Sequence, residues 1–218
     1  MARIDVGSIG TVVVQPDSRV RLLDHRTARY RLGLERGTLR AVIWAPPGEF
    51  LVDTPSARAV DLGCAYTLAV DAAGAGLLTV ESGWVALEHA GREAFVPAGA
   101  RCPTRRHDGP GLPAYLDAAP AFQEALASWE RGEPALEAVL RQARPRDAMT
   151  LWHLLTRVPA EDRTLVYEAL AAVLPPPAGV SREAVLQGDR AAIDAWWNEL
   201  GLGSVRFWRQ WKADWATR

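Results

Sequence analysis

Several features common in proteins of this size are scarce in this chain of 218 residues. Its two cysteines, Cys64 and Cys102, are too few for a disulfide scaffold or a structural zinc site. Lys212 is the lone lysine, and the formal net charge of −1 provides no overall basic surface to favour nucleic acid. The chain has no apolar run of about 18 residues, so the sequence predicts no transmembrane helix. Met1–Asp5 also lacks the apolar region of a secretory signal.

Signatures of catalysis are missing as well. The four histidines, His25, His89, His107 and His153, do not pair with one another or with a cysteine at a metal-ligand spacing. The sequence contains no nucleophile elbow, P-loop or dinucleotide fingerprint. It therefore predicts no metal, no cofactor and no enzyme activity on an external substrate.

The first half of the chain has the pattern of strands. Phe50 and Val52 alternate with Glu49, Leu51 and Asp53, which are expected on the solvated face. Alternate residues from Val60 to Val70 are apolar, while Asp61 is expected to point away from the core. Thr54-Pro55-Ser56 forms a turn between the first two strands, and Gly63 marks a kink before the third. We expect residues 1–106 to form an antiparallel β domain, either a sandwich or a β-solenoid.

The second half has the pattern of helices. A Pro/Gly-rich stretch, residues 107–117, is predicted to be a linker, and residues 118–218 an all-α domain. Leu151, Leu154 and Leu155 share one face of a helix for which Asp147 is the expected N-cap.

Tryptophans are concentrated near the end of the sequence. Trp208, Trp211 and Trp215 follow an i, i+3, i+7 spacing and so share one helix face. Such a stripe is favoured as core of a small helical domain, but it is also a candidate contact with a protein partner.

Several motifs in the β half occur together in a known family. Phe50, Val52, Thr54 and Pro55, then Leu62 and Gly63, match a phrase of the form Phe-x-Val-x-Thr-Pro followed by Leu-Gly-Thr-x-Phe-x-Val. Cys64 stands in the place of the Thr, and Tyr66 in the place of the Phe. Together with flanking strands, this region, roughly residues 4–102, resembles the FecR-type sensor domain of bacterial anti-sigma regulators.

The resemblance implies a periplasmic regulatory domain that docks a protein and gates release of a sigma factor. Family members carry a sigma-binding segment and one membrane span before this domain, so we expect the sequence to begin inside a longer protein. The alternative is a short cytoplasmic protein. The helical half departs from the better-known members, which makes an iron-transport receptor a poor specific partner.

The resemblance also points to one covalent reaction, and the two cysteines to one possible covalent link. Some members cut themselves at the Gly-Thr bond, and the equivalent bond here is Gly63–Cys64. Self-cleavage there is disfavoured, because a buried and protonated Cys64 would be inert. Cys64 and Cys102 could form one periplasmic disulfide or remain two buried thiols.

The residues alone also allow a second class of function. Trp44, Trp84 and Tyr115 could stack on sugar rings, which would make the chain a ligand- or polysaccharide-binding scaffold without catalysis. Sugar binding requires an open row of aromatic side chains, whereas a docking sensor requires an exposed strand edge or apolar patch.

Overall fold

The computed structural model describes residues 1–25 and 30–205. The chain divides into two compact units, Met1–Leu116 and Asp117–Arg218. The described part of the first unit is built from strands and that of the second from helices, which confirms the predicted β + α fold class.

The first unit contains a single connected sheet. Its strands are β1 (Ala2–Val6), β2 (Gly10–Val14), β3 (Arg19–Asp24), β4 (Tyr30–Ile43), β5 (Phe50–Asp53), β6 (Arg58–Asp61), β7 (Ala65–Val70), β8 (Gly76–Ser82), β9 (Trp84–His89), β10 (Arg92–Pro97), β11 (Ala100–Arg105), β12 (Gly109–Pro110) and β13 (Ala114–Tyr115).

The sheet curls back on itself. The strand order is β10-β9-β6-β5-β4-β7-β8-β11-β12, and the two end strands, β10 and β12, also lie against each other. The sheet is therefore nearly closed into a barrel. Among the described residues, every strand pair is antiparallel except β4 with β5, which is parallel. The prediction of a wholly antiparallel domain was wrong at this pair.

The long strand β4 connects the two parts of the sheet. Its first residues pair with β3 and β5, and the residues from Gly37 onward pair with β2 and β7. At Gly37, where φ is +94°, a Cβ atom would lie 2.4 Å from the Cα of Ser18. Glycine is therefore required where the strand changes partners, because a side chain has no room there.

Buried side chains cross the sheet in rows. In one row, Val14, Leu39, Leu68, Leu78 and Cys102 lie side by side on adjacent strands, and each is at most 9% exposed. The neighbouring row on the opposite face is polar and includes Arg40 and Thr67. This is the alternation that the sequence predicted for strands with one solvated face.

The alternation prediction was wrong at two positions. Leu51 was expected on the solvated face of β5 but is 3% exposed, and Asp61 was expected to point away but is 1% exposed. The burial of Asp61 creates the polar cluster described below.

The residues predicted as a linker contain two short strands. Within residues 107–117, β12 and β13 both pair with β11, so this stretch adds to the sheet of the first unit. Pro/Gly-rich composition does not distinguish a linker from tight turns between very short strands.

The helices of the second unit are α1 (Pro120–Glu130), α2 (Leu136–Gln142), α3 (Ala148–Leu155), α4 (Arg163–Val173), α5 (Arg182–Gln187) and α6 (Arg190–Trp197). Short 3₁₀ turns occur at Pro145–Asp147, Ala160–Asp162 and Asn198–Leu200. Ser181 and Asp189 cap α5 and α6 by accepting the backbone N–H groups of Ala184 and Ala192.

Helix α3 is the centre of this unit, since every one of its residues is buried. Asp147 occupies the N-cap position as predicted, but its side chain does not cap the helix. Its carboxylate instead accepts hydrogen bonds from the backbone and the guanidinium of Arg144. An ion pair thus takes the place of the expected cap.

Candidate functional site

The motif that stands out in the sequence forms the continuous run β5–turn–β6–turn–β7. Phe50 and Val52 lie on β5 and are fully buried. In the first turn, the Thr54 hydroxyl accepts the backbone N–H groups of Ser56 and Ala57 and donates to the Ala57 carbonyl oxygen at 2.8 Å. The Thr-Pro part of the motif therefore closes the β5–β6 hairpin.

A buried hydroxyl pair anchors this hairpin to a distant strand. The Oγ of Ser56 lies 2.6 Å from the Oγ1 of Thr104 on β11, and both residues are at most 2% exposed. Because each hydroxyl satisfies the other, the pair can be buried without the cost of an unpaired polar group.

The second turn holds the most unusual chemistry of the unit. The Asp61 carboxylate accepts the backbone N–H of Gly63 at 2.7 Å through Oδ1 and the Cys64 thiol at 2.8 Å through Oδ2. Cys64 is 3% exposed. One buried carboxylate thus fixes both the backbone and the side chain of the Gly63–Cys64 link.

Two glycines permit this turn. Gly63 has a φ of +83°, which glycine adopts without strain. Gly83 follows β8, and a Cβ atom there would lie 2.2 Å from the Gly63 carbonyl oxygen. The backbone of Gly83 therefore covers the carbonyl that a self-cleavage reaction would have to attack.

Burial determines the protonation of the cluster, which we call the Asp61 cluster and define as Asp61, Cys64 and Tyr66. Burial raises the pKa of Asp61 to about 7, although the hydrogen bonds from Cys64 and Gly63 oppose the shift. Burial, and then the nearby Asp61 charge, raise the pKa of the Cys64 thiol.

Tyr66 completes the cluster. It is fully buried, and its hydroxyl has no hydrogen-bond partner. Burial, with the charges of Asp61 and Cys64, raises its pKa well above its usual value. All three groups therefore favour their neutral forms at acidic pH.

This geometry does not activate the thiol. A cysteine nucleophile needs a depressed pKa or a base that can take its proton. Asp61 is placed to accept the proton, but the buried surroundings disfavour the thiolate that would result. The disulfide left open by the sequence is not formed, since Cys64 and Cys102 are both buried thiols. The Cys102 thiol instead lies 3.5 Å from the carbonyl oxygens of Pro103 and Gly111.

Sequence reasoning missed Asp61 as a site residue. A local signal was present, because an aspartate two residues before a glycine is typical of an Asx turn. The alternation around it assigned the carboxylate to solvent, and only the covering strands reveal its burial.

The three aromatic candidates for sugar stacking do not form an open row. Trp44 is 64% exposed, Trp84 is half-buried and Tyr115 is 6% exposed. The Trp44 indole N–H donates to the carbonyl oxygen of Ser8. A single exposed indole is a weaker stacking platform than sugar binding requires.

Two strands of the first unit present exposed apolar side chains at a sheet edge. Among the strands described, β3 pairs only with β4, and β1 pairs only with β2. Leu22 and Leu23 on β3 are 62% and 49% exposed, and Ile4 on β1 is 36% exposed. These edges are the candidate docking surfaces.

The helical unit has a buried titratable group of its own. The His153 ring packs edge-on against Trp152 and Trp197, with ring centroids 5.0 and 5.6 Å apart. Its Nδ1 lies 2.8 Å from the Met149 carbonyl oxygen, so Nδ1 carries a proton and donates it. Burial lowers the pKa of His153 to about 3, and Arg157 and Arg190 add to the shift.

The candidate partner contact, Trp208, Trp211 and Trp215, lies outside the described residues. The preceding pair, Trp196 and Trp197, is fully buried, and both indoles donate to carbonyl oxygens, of Leu174 and Gly203. These two tryptophans are core.

Within residues 1–25 and 30–205, no three or more His, Cys, Asp or Glu side chains are grouped so as to hold a metal ion. No helix in the same residues has the length and hydropathy needed to cross a membrane.

Comparison with known proteins gives structural neighbours only. No protein-family model matches the chain, and no curated protein matches it. Solved structures do match it, and two of them are crystal structures described as a "putative anti-sigma factor" from Parabacteroides distasonis ATCC 8503. The structure at 1.65 Å resolution is 14% identical with a TM-score of 0.46, and each chain is covered over 60% of its length. The structure at 2.50 Å is 17% identical with a TM-score of 0.38; the match covers 60% of this chain and 65% of that one. The chain therefore spans less than two thirds of either neighbour.

Proposed function

We propose that this chain is a FecR-type regulatory sensor domain of an anti-sigma-factor-like protein and acts by docking a protein partner. The observation that carries the proposal is the Phe50–Tyr66 motif. Its residues occur in the family's order, and each has a distinct structural role in the β5–β6–β7 run.

The roles explain why these residue types occur together. Phe50 and Val52 fill the core, Thr54 closes the first turn, and Gly63 adopts the positive φ of the second. Tyr66 is fully buried in the place of the family's Phe. A motif that specifies a scaffold in this way leaves recognition to the surface.

Docking is proposed for strand β3. Leu22 and Leu23 are adjacent, exposed and at an edge of the sheet, so a partner can cover apolar area and also approach unpaired backbone groups. The proposed partner is a component of envelope signalling, either a receptor domain or another envelope protein.

The location and the wider protein follow from the resemblance. We propose a periplasmic domain, linked by an upstream membrane span to a segment that binds a sigma factor. A cytoplasmic protein is the alternative.

The first test is genetic. The reading frame upstream of the Met1 codon is determined, the encoded full-length protein is deleted in the source bacterium, and transcription from promoters of the co-encoded sigma factor is measured. We expect a sigma-binding segment upstream and a change in transcription on deletion. A frame that starts at Met1, with no effect of deletion on any sigma-dependent promoter, would rule out the regulator and leave the ligand-binding scaffold as the leading function.

A matched pair of variants tests the docking surface. The double substitution Leu22→Asp and Leu23→Asp in the full-length protein is expected to abolish the response to the inducing signal. Leu77→Asp is the control, because Leu77 is 40% exposed but lies on β8, which is paired on both sides. Equal responses from both variants would contradict docking at β3.

We also propose that the chain is not an enzyme and does not cleave itself at Gly63–Cys64. The Cys64 thiol is buried, and Gly83 covers the Gly63 carbonyl. Intact-mass spectrometry of the purified chain after prolonged incubation is expected to show one species. Fragments 1–63 and 64–218 that disappear in Cys64→Ala would contradict this expectation.

A further inference from the structure

Among the strands that the structure describes, β1 is an edge strand that pairs with β2 alone. It pairs with β2 in an unbroken register from Ala2 opposite Val14 to Val6 opposite Gly10. Four of its five residues are exposed. It contains no proline and no bulge, two of the devices that normally blunt an exposed edge, and its charged side chains, Arg3 and Asp5, are of opposite sign.

Ile4 marks the point where a core row is left uncovered. The row begins at Ile4 and continues through Val12, Ala41, Tyr66 and Val80, each of which is paired with the next on the neighbouring strand. Those four are at most 1% exposed, whereas Ile4 is 36% exposed. One more strand beside β1 would complete the burial of the row.

The charges of β1 are arranged symmetrically about Ile4. Arg3 and Asp5 flank it, point to the same face and form an ion pair at 3.1 Å, with side chains 70% and 71% exposed. In an antiparallel pair of two such strands centred on Ile4, Arg3 of each copy faces Asp5 of the other. Ala2 faces Val6, and Ile4 faces Ile4.

We propose that β1 pairs antiparallel with β1 of a second copy of this chain, in a two-fold register centred on Ile4. The occupant of the edge is a second copy because the strand is complementary to itself in both charge and apolar pattern. Opposite charges directly across a strand pair stabilise it and like charges destabilise it. An edge strand carrying one sign of charge would repel a second copy of itself, whereas β1 places opposite charges across the pair. The proposal does not depend on the regulatory function above.

Charge reversal tests the pairing. In the dimer, residue 3 of each copy faces residue 5 of the other. Arg3→Asp makes both of these cross-strand pairs acidic, and Asp5→Arg makes both basic. Each variant is therefore expected to weaken self-association, measured by sedimentation equilibrium, at least about tenfold. Mixing the two variants is expected to restore dimers, because the heterodimer pairs only opposite charges. The double variant Arg3→Asp with Asp5→Arg is expected to associate like the unmodified chain.

The matched control lies in the helical unit. Arg131 and Glu133 form an exposed ion pair with the same two-residue spacing, at 2.8 Å. Arg131→Glu and Glu133→Arg are expected to leave association unchanged. An unmodified chain that stays monomeric at the highest attainable concentration overturns the proposal, and so does a mixture of the two β1 variants that stays monomeric.

A cross-linking experiment tests the register. Ile4→Cys places two thiols face to face at the two-fold axis and is expected to give a covalent dimer under mild oxidation. Ala2→Cys, which faces Val6 in this register, is expected to cross-link far less. The buried native cysteines provide no competing thiol at the surface. Equal cross-linking of both variants, or none, overturns the register.

Discussion

Each unit contains a buried titratable side chain whose pKa is shifted by its burial, Asp61 in one and His153 in the other, and these two respond to pH in opposite directions. Asp61 in the β unit is an acid whose pKa is raised by burial, whereas His153 in the helical unit is a base whose pKa is lowered by burial. Burial favours the neutral form in both cases. The same physical cause therefore destabilises one unit as the pH rises and the other as it falls.

The surroundings of the two groups differ as well. Asp61 is held by a backbone N–H and a thiol within a glycine-dependent turn, whereas His153 is enclosed by indole rings. We infer that the β unit depends on backbone geometry at its buried polar group, and the helical unit on aromatic volume.

The largest expected effect is the loss of that aromatic volume. Trp197 is fully buried, with its ring centroid 4.7 Å from that of Trp152. Trp197→Ala is expected to lower the free energy of unfolding of the helical unit by about 4 kcal/mol, because it leaves a large cavity. Trp44→Ala, at an exposed indole, is the control and is expected to cost less than about 1 kcal/mol. Chemical denaturation measures both; equal losses would contradict the aromatic-volume account.

The matching test of the β unit concerns backbone geometry. Gly83→Ala is expected to cost about 3 kcal/mol, because its Cβ would lie 2.2 Å from the Gly63 carbonyl oxygen at a positive φ. Gly91 also has a positive φ, but a Cβ there meets nothing within 4 Å, so Gly91→Ala is expected to cost about 1 kcal/mol. Thermal unfolding of the two variants compares them. A Gly83 variant no less stable than the Gly91 variant would show that the close approach does not matter.

The pH response of the helical unit is expected to come from His153. The unfolded histidine binds a proton below about 6.5, but the folded one does so only near 3. Stability contributed by neutral His153 is therefore present above pH 6.5 and is lost as the pH falls toward 3, at up to about 1.4 kcal/mol per pH unit. His153→Met is expected to remove this acid loss. Denaturation from pH 7 to 4 measures it, and an unchanged slope in the variant would contradict the assignment.

Asp61 is expected to give a pH dependence of opposite sign, over a pH window of similar width. Its folded pKa of about 7 lies above its ordinary value of 3.8. The folded state therefore binds the extra proton between these values, and stability is lost as the pH rises through this window. Asp61→Asn keeps an acceptor for the Gly63 N–H and is expected to remove the loss. If the variant loses stability with rising pH as the unmodified chain does, Asp61 is not its source.

Much of the local structure could be predicted from the sequence. Alternating residues predicted strands at β5, β6 and β7, Thr54-Pro55-Ser56 predicted their first turn, and Gly63 the second. Helical spacing predicted α3 and its buried leucines. These features depend on neighbours a few residues apart, so a local pattern carries them.

Most errors of the sequence-based prediction occur where residues far apart in the chain determine the structure. Leu51 is buried although β5 was expected to have one solvated face. Asp147 is the exception, because it binds Arg144, only three residues earlier, where a helix cap was expected. The parallel pairing of β4 with β5 and the short strands β12 and β13 depend on which strands meet, and no local pattern specifies that.

The sequence by itself determined where strands, turns and helices form, because proline, glycine and the spacing of apolar residues act over a few neighbouring residues. Only the tertiary structure decided the chemistry of the buried polar groups. The Ser56–Thr104 pair joins residues far apart in the chain, and the neutral states of Asp61 and His153 follow from the strands and indole rings that exclude water from them. Desolvation is a property of the assembled surroundings, so it exists only after the chain has folded.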